Sequence, residues 1–174
     1  MELCDASMDQ LFLEEKHDRK YRGPKLPCCF IVFLQLASGL EHIHSLKLIH
    51  RDIKPENVLI HVDSDEKVTM KWADFGLSKP VNERGTFTQT RIRGTMYWMA
   101  PELLKQLDDE EKGILEKRRG TVKSDVFAQG LVFGYFMSDG KHIFGIGRKI
   151  EQNITDDNPV NLASKYMYNF HYKP

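Results

Sequence analysis

Between residues 28 and 46 apolar side chains recur at intervals of three and four, with Phe30, Phe33, Leu34, Ala37, Leu40 and Ile43 on one stripe. That period predicts a helix with this stripe buried. Two short runs rich in branched residues follow, Asn57 to Val62 and Val68 to Ala73, separated by the polar stretch Asp63 to Lys67. They predict a β-hairpin. A second long helix is expected from Asp125 to about Ser138, capped by Ser124 and stopped at Asp139-Gly140. Its apolar residues Val126, Phe127, Leu131, Val132, Phe133, Tyr135 and Phe136 cover nearly all sides, which predicts an interior position. Ser7 and Gln10 have capping-box spacing and predict a short helix from Met8 to about His17. Asp18 to Pro27, with Gly23, Pro24 and Pro27, reads as a loop, and Pro80 to Arg93 as an exposed, mobile one. The charged run Lys105 to Arg119, acids before bases, is expected to be a solvated loop or helix. Beyond Gly147 the pattern weakens, and Asn158 to Pro174 has no period.

Composition adds mostly exclusions. The 174 residues carry 25 basic and 25 acidic side chains, so bulk charge points to neither nucleic acid nor an anionic membrane. With 41% hydrophobic and 29% charged residues the chain is ordinary for a globular domain. The longest apolar run, Cys28 to Leu34, is far shorter than the ~20 residues that cross a bilayer. Met1 to Gln10 has acids and no base, which does not fit a targeting peptide. Three cysteines, two of them adjacent, argue against a disulfide framework and for a reducing compartment.

The chemistry concentrates in His50-Arg51-Asp52-Ile53-Lys54-Pro55-Glu56-Asn57, between the first long helix and the first strand. A carboxylate, an ammonium and a carboxamide share this loop. A second acid, in Asp74-Phe75-Gly76, comes directly after the second strand, and the hairpin should fold it back toward Asn57. Ala100-Pro101-Glu102 completes a set of three spaced motifs.

With these motifs in this order the chain resembles the eukaryotic protein kinase family. Gly94-Thr95-Met96-Tyr97-Trp98-Met99 looks like the family's substrate-docking stretch, and Ser124 to Gly130 like the start of its central buried helix. The resemblance implies a fold that is mainly α with a small β-hairpin: a kinase-like C-terminal large lobe, truncated, with the small lobe absent. Residues 1–4 would be the hinge, 5–155 the large lobe and 156–174 an unassigned tail. No glycine-rich phosphate loop or strand lysine is found, and Gly145-Ile146-Gly147 lacks the spacing to serve as one.

The same resemblance implies transfer of the ATP γ-phosphate to a protein Ser or Thr hydroxyl, with ATP and Mg²⁺ as cofactors. Asp52 would accept the hydrogen bond of the attacking hydroxyl and then its proton. Lys54 would follow the γ-phosphate and go with Ser/Thr specificity, Thr95 bonding both. Asp74 and Asn57 would supply hard oxygen ligands for magnesium. Leu59 would floor the adenine, whose edge would meet backbone groups of Glu2 and Cys4. Arg51 and Lys79 would form a cationic pocket for a phosphate on Thr86, Thr88 or Thr90. His50 is expected to pack under Phe75, and Asp125 to bond the backbone of the loop. Glu102 would pair with a late arginine; the last one here is Arg148, and an orphaned buried carboxylate would cost about 3–5 kcal/mol.

Within the family, Asp125-Val126-Phe127, Ser138 to Gly145, Arg148 and Asn153-Ile154 are similar to the inositol-requiring kinase/endoribonucleases of the unfolded-protein response and to the latent ribonuclease related to them. Ile143 replaces the usual proline. This closer likeness implies a protein substrate, a kinase homodimer in the parent protein and no nucleic-acid binding by this segment. It also implies a cytoplasmic location, with the parent anchored in the endoplasmic reticulum membrane. A noncatalytic lobe that docks another protein is the alternative reading.

Overall fold

The computed structural model describes residues 3–89, 93–114 and 118–161, with 88, 89, 118 and 119 in their backbone only. Four helices are described, α1 (Cys29–Ser45), α2 (Pro101–Glu111), α3 (Val122–Met137) and α4 (Lys149–Thr155). Seven short strands accompany them, β1 (Ala6–Ser7), β2 (Leu48–Ile49), β3 (Val58–Val62), β4 (Val68–Trp72), β5 (Lys79–Pro80), β6 (Thr86–Gln89) and β7 (Arg118–Thr121). All pairings are antiparallel: β1-β3-β4 form one sheet, β2-β5 and β6-β7 two more. The fold is mainly helical around a hairpin, as the sequence predicts, and the three-stranded sheet lies against α1.

The expected stripe on α1 is buried only in part: Leu40 and Ile43 are inside and Phe33 packs on the core, but Phe30, Leu34 and Ala37 are exposed. Val32, Leu36, Leu40 and Ile43 face the core, while Phe30 is 69% and Leu34 52% exposed. Two three-and-four patterns coexist in this helix, and the hairpin selects between them. On β3 and β4, Val58, Ile60, Met70 and Trp72 share one face by alternation, and all are buried. Trp72 donates its indole N–H to the Leu36 carbonyl at 2.8 Å. Opposite it stands Gly39, where a Cβ would come within 3.2 Å of the indole.

Helix α3 borders both hydrophobic clusters. Ala128 and Val132 join α1 and the hairpin, whereas Leu131 joins Met99, Leu103, Leu104, Phe144, Ile150 and Ile154. The helix is less interior than its composition predicts, since Val126 is 53% exposed and the buried side chains include Ser124, Asp125 and Gln129. Its cap is Thr121, whose hydroxyl accepts from Lys123 N–H at 3.2 Å. Ser124 lies one turn in and donates to the Thr121 carbonyl at 2.7 Å.

Other local expectations change for tertiary reasons. The Ser7–Gln10 capping box does not form, because Ser7 is held extended in β1 opposite Leu59 and its hydroxyl turns to Asp9. Only a 3₁₀ turn, Met8–Phe12, follows. The segment from Pro80 to Arg93 is not wholly loop: β6 pairs with β7 and Phe87 is buried beside Gly120. The charged run therefore splits between α2 and β7. Helix α4 lies where the pattern faded; Ile150 and Ile154 are its buried residues, and the Asn153 amide donates to the Phe144 carbonyl at 2.8 Å. Glu102 is exposed, so the penalty expected for an orphaned buried carboxylate does not arise.

Residues after α3 are tied down by His142. Its Nδ1 accepts from Phe144 N–H at 3.1 Å, and its carbonyl accepts from the Asn161 side chain at 2.9 Å. Burial pushes the imidazole down to about 4, and a protonated Nδ1 could no longer accept. Between pH ~4 and the ordinary value near 6.5, the unfolded chain binds a proton that the native state refuses, so stability falls as pH drops through that window. His142→Asn, which keeps an acceptor, should flatten the slope of melting temperature against pH from 7 to 4.5. The slope should not vanish, because burial also lowers His50. An undiminished slope in the variant would refute the assignment to His142.

Candidate catalytic site

The loop after β2 is fixed from below by one carboxylate. Asp125, 2% exposed, accepts from His50 N–H at 2.8 Å, Arg51 N–H at 2.9 Å and the His44 ring Nε2 at 2.9 Å. A carboxylate that meets two successive N–H groups holds them in a set orientation, and here it stabilises Arg51 at φ 73, a conformation costly for a residue with a side chain. His50, fully buried, donates Nε2–H to the Ala73 carbonyl at 2.9 Å and accepts from Asp52 N–H at 3.3 Å. This places the proton on Nε2 and makes the ring a strut between the end of β4 and Asp52. Its ring lies 5.0 Å from that of Phe75, the expected packing.

Above this strut Asp52 is the centre of a closed network. Its Oδ1 accepts from the Thr95 hydroxyl at 2.9 Å, and its Oδ2 from Lys54 Nζ at 2.8 Å and the Asn57 amide at 3.0 Å. Lys54 Nζ also donates to Thr95 Oγ1 at 3.0 Å. Burial opposes ionisation of Asp52, but the hydrogen bonds from Lys54, Thr95 and Asn57 and the lysine charge outweigh it and hold the carboxyl below the usual range. Thr95 reaches the loop because of Gly94: at φ 128 it lets the chain pass so close that a Cβ would stand 2.6 Å from the Arg51 carbonyl oxygen.

Ala73 N–H, just before Asp74, donates to the Asn57 carbonyl at 2.9 Å. Asn57 is buried and spends its amide N–H groups on Asp52, at 2.8 Å to the carbonyl and 3.0 Å to the carboxylate. Its side-chain oxygen is left to accept or ligate. Asp74 is exposed, adopts φ 61, and accepts from Gly76 N–H with one oxygen. One amide and one carboxylate oxygen, with water completing the shell, fit a magnesium ion bound together with substrate phosphates. No cluster of three or more His, Cys, Asp or Glu able to hold a metal occurs among the described residues.

The other expected site residues scatter. Leu59 is half-buried on the sheet face opposite that packed on α1. Cys4 is half-buried just before β1, and Asp5 N–H ties that segment to the Ile60 carbonyl at 2.8 Å. Glu2 and Thr90 lie outside the described residues, as does the side chain of Thr88. Lys79 is exposed in β5 opposite Ile49, and Thr86 sits in β6 opposite Thr121. Arg51 instead lies 5.3 Å over the Phe87 ring. Burial and the charge of Arg93 both push its guanidinium down. One of its nitrogens, Nη2, is buried with no hydrogen-bond partner among the described residues, beside a cavity of about 20 Å³ that Phe87, Arg93 and Thr95 also line. Phe87 and Arg93 are therefore neighbours that sequence reading passed over. The alternation Thr86-Phe87-Thr88 was the available sign of a strand with one buried face.

The geometry agrees with the comparisons. The protein kinase domain family matches residues 4–173. A serine/threonine-protein kinase/endoribonuclease IRE2 from Homo sapiens is 37% identical over 162 residues, covering 91% of this chain and 16% of that protein. The IRE1 counterpart from Hypocrea jecorina is 33% identical over 166 residues, covering 79% of this chain and 13% of that protein. The chain thus spans under a fifth of the length of these curated relatives. In the crystal structure of the yeast RNA Pol II CTD kinase CTDK-1 complex, one chain superposes with a TM-score of 0.62 at 25% identity, over 87% of this chain and 42% of that one. Matched by the family's model over residues 4–173 and 37% identical to a curated relative over 91% of its length, the chain belongs to the protein kinase domain family.

Proposed function

We propose that this chain carries the catalytic loop and substrate platform of a serine/threonine protein kinase of the unfolded-protein-response kinase/endoribonuclease type. The observation that supports it most is the Asp52–Lys54–Thr95 triangle, each pair within 3.0 Å. A hydroxyl replacing that of Thr95 near Asp52 Oδ1 would find an acceptor for its proton and a cation beside it. A carboxylate as acidic as Asp52 is a weak early base, so it orients the hydroxyl and takes the proton late, which suits a loose phosphoryl-transfer transition state. Lys54 balances the charge of the incoming phosphate.

Magnesium, when bound, would bridge and neutralise the ATP phosphates; Asn57 and Asp74 are the residues that would hold it. Leu59 and the segment around Cys4 would receive the adenine. Arg51, with Arg93 and Lys79, would receive a phosphate on the strand or loop carrying Thr86, Thr88 and Thr90. The name of the Schizosaccharomyces pombe relative, a sensor for unfolded proteins in the ER, supports a parent protein that works at the endoplasmic reticulum; assembly of that parent as a kinase homodimer on the cytosolic side is part of the same proposal. No helix among the described residues is long and apolar enough to cross a membrane.

The test is transfer of label from γ-labelled ATP to a mixed protein substrate, with the wild-type chain beside Asp74→Asn. Transfer above the variant's background supports a catalytic unit. Equal background in both favours the alternative, a kinase-like lobe that binds other proteins.

A further inference from the structure

Phe30, Leu34 and Ala37 recur at helical spacing along α1, and all three are exposed, with Ile31 beside them. Their neighbour Phe33 shows how the fold treats an aromatic it packs: its ring stacks on that of Phe133 at 4.2 Å. The first turns of α1 thus show apolar side chains both inward and outward, and the core covers only the inward ones.

Two adjacent cysteines stand directly before the outward stripe. Cys28 is the N-cap of α1 and Cys29 its first helical residue; both thiols are free and both residues are exposed. Free thiols beside exposed aliphatic and aromatic groups are a liability on a surface that meets only water.

The segment leading into them is cationic. Between residues 16 and 25 the bases Lys16, Arg19, Lys20, Arg22 and Lys25 face the single acid Asp18. Glu14 lies 2.9 Å from Lys16 and Glu15 3.4 Å from Lys20, so among the described residues Arg19, Arg22 and Lys25 have no carboxylate within 4 Å. Arg22 folds the segment on itself by donating to the carbonyls of Glu15 and His17. Lys25 is exposed three residues before Cys28, within about 10 Å of extended chain. The whole chain is neutral, so this charge is a local patch.

We propose that Cys28 and Cys29 are S-acylation sites that hold this lobe on an anionic membrane surface. Each thiolate attacks the carbonyl carbon of a long-chain acyl-coenzyme A. The new cysteine S–C bond forms, the donor's C–S bond breaks, and the thiol proton passes to the departing coenzyme A thiolate, so no oxidant or reductant enters. One acyl chain holds a protein to a bilayer only marginally, whereas two chains, or one beside a basic patch, hold it firmly. Adjacent cysteines behind a basic segment supply both. Phe30 and Leu34 then enter the headgroup boundary while Arg19, Arg22 and Lys25 meet lipid phosphates. Charge complementarity selects the membrane over a second copy of the chain, whose own basic segment would be brought against this one by a two-fold axis. The proposal uses no residue of the centre around Asp52 and stands apart from the kinase reading.

The full chain, expressed in eukaryotic cells given an alkyne-bearing palmitate, should carry label that neutral hydroxylamine releases, at Cys28 and Cys29 and not at half-buried Cys4. Cys28→Ser with Cys29→Ser should remove it. The purified acylated chain should float with vesicles of phosphatidylcholine and phosphatidylserine, binding them about 10-fold more tightly than phosphatidylcholine alone, a preference that rising salt weakens. Arg19→Glu with Lys25→Glu should erase that preference. These replacements are at exposed positions and should leave the fold intact, which circular dichroism checks. Absence of hydroxylamine-sensitive label, or label equally strong at Cys4, overturns the modification sites. An acylated chain that stays in solution, or that pairs with a second copy in sedimentation instead of floating, overturns the membrane as occupant, and equal binding to the two vesicles overturns the role of the basic segment.

Discussion

Asp52→Asn is expected to lower the phosphoryl-transfer rate of this chain by about 10²–10⁴-fold, the usual worth of a positioned proton acceptor. The amide is isosteric and can keep its oxygen toward Lys54 Nζ and the Asn57 amide, which now donate to Oδ2 at 2.8 and 3.0 Å. Its nitrogen then faces the Thr95 hydroxyl in place of Oδ1, and the site loses its acceptor for the substrate proton. Nucleotide affinity should change little, since Asn57 and Asp74 stay in place, so the loss should appear in kcat. A loss carried only by a rise in KM would contradict the assigned role. The pH profile gives a second reading. Because Lys54, Thr95 and Asn57 hold Asp52 below the usual carboxylate range despite its burial, the group is ionised throughout pH 5–9. The acid limb of the rate should thus lie below that range. By the same linkage, the stability contributed by its ionised form is present above the unfolded value and is lost as pH falls through the lower native one.

The largest effect on stability is expected at Asp125. Asp125→Ala removes three acceptor interactions and leaves the N–H groups of His50 and Arg51 in a region where water does not easily replace the carboxylate. At about 1–3 kcal/mol for each of these two donors left unsatisfied, the cost is about 2–6 kcal/mol, a large share of an ordinary domain's ~5–15 kcal/mol. Arg51 would leave its φ of 73, and with it the segment that presents Asp52 would lose its shape. Chemical denaturation with the two-state midpoint as readout should show this loss. Asp125→Asn, with one acceptor oxygen, should fall between wild type and alanine. An unfolding free energy for Asp125→Ala within about 1 kcal/mol of wild type would show that the clamp is not what holds the loop.

These two residues also mark how differently parts of the site could be read. Asp52, Lys54, Asn57 and Asp74 lie in short strings whose residue types suit phosphoryl transfer, and the hairpin that joins them has a plain period-two pattern. Their proximity followed from local structure. Thr95 was legible only through the family resemblance, because 41 residues separate it from Lys54 and a glycine at positive φ brings it in. Phe87 carried only the faint sign of the Thr86-Phe87-Thr88 alternation, and Arg93 none. Their place against Arg51 depends on β6 finding β7, a pairing between two segments that each looked like solvated loop.

The helices divide in the same way. That residues 29–45 are helical was written in their period, and so was the hairpin. Which side of α1 is inside was not, since Phe30-Leu34-Ala37 and Val32-Leu36-Leu40 satisfy the helical period equally well. Only the partner surface of Met70, Trp72 and Val132 separates them, because burial is a property of the pair in contact and not of either chain segment. Ser124 lost its cap role to Thr121 because β7 delivers Thr121 to the helix start in extended form. The chain's own order of residues thus determined the secondary structure and the chemical identity of the centre around Asp52. Tertiary packing decided which faces are buried, which strands pair across distance and which cations surround Arg51, since those contacts join positions whose separation along the chain carries no periodic signal.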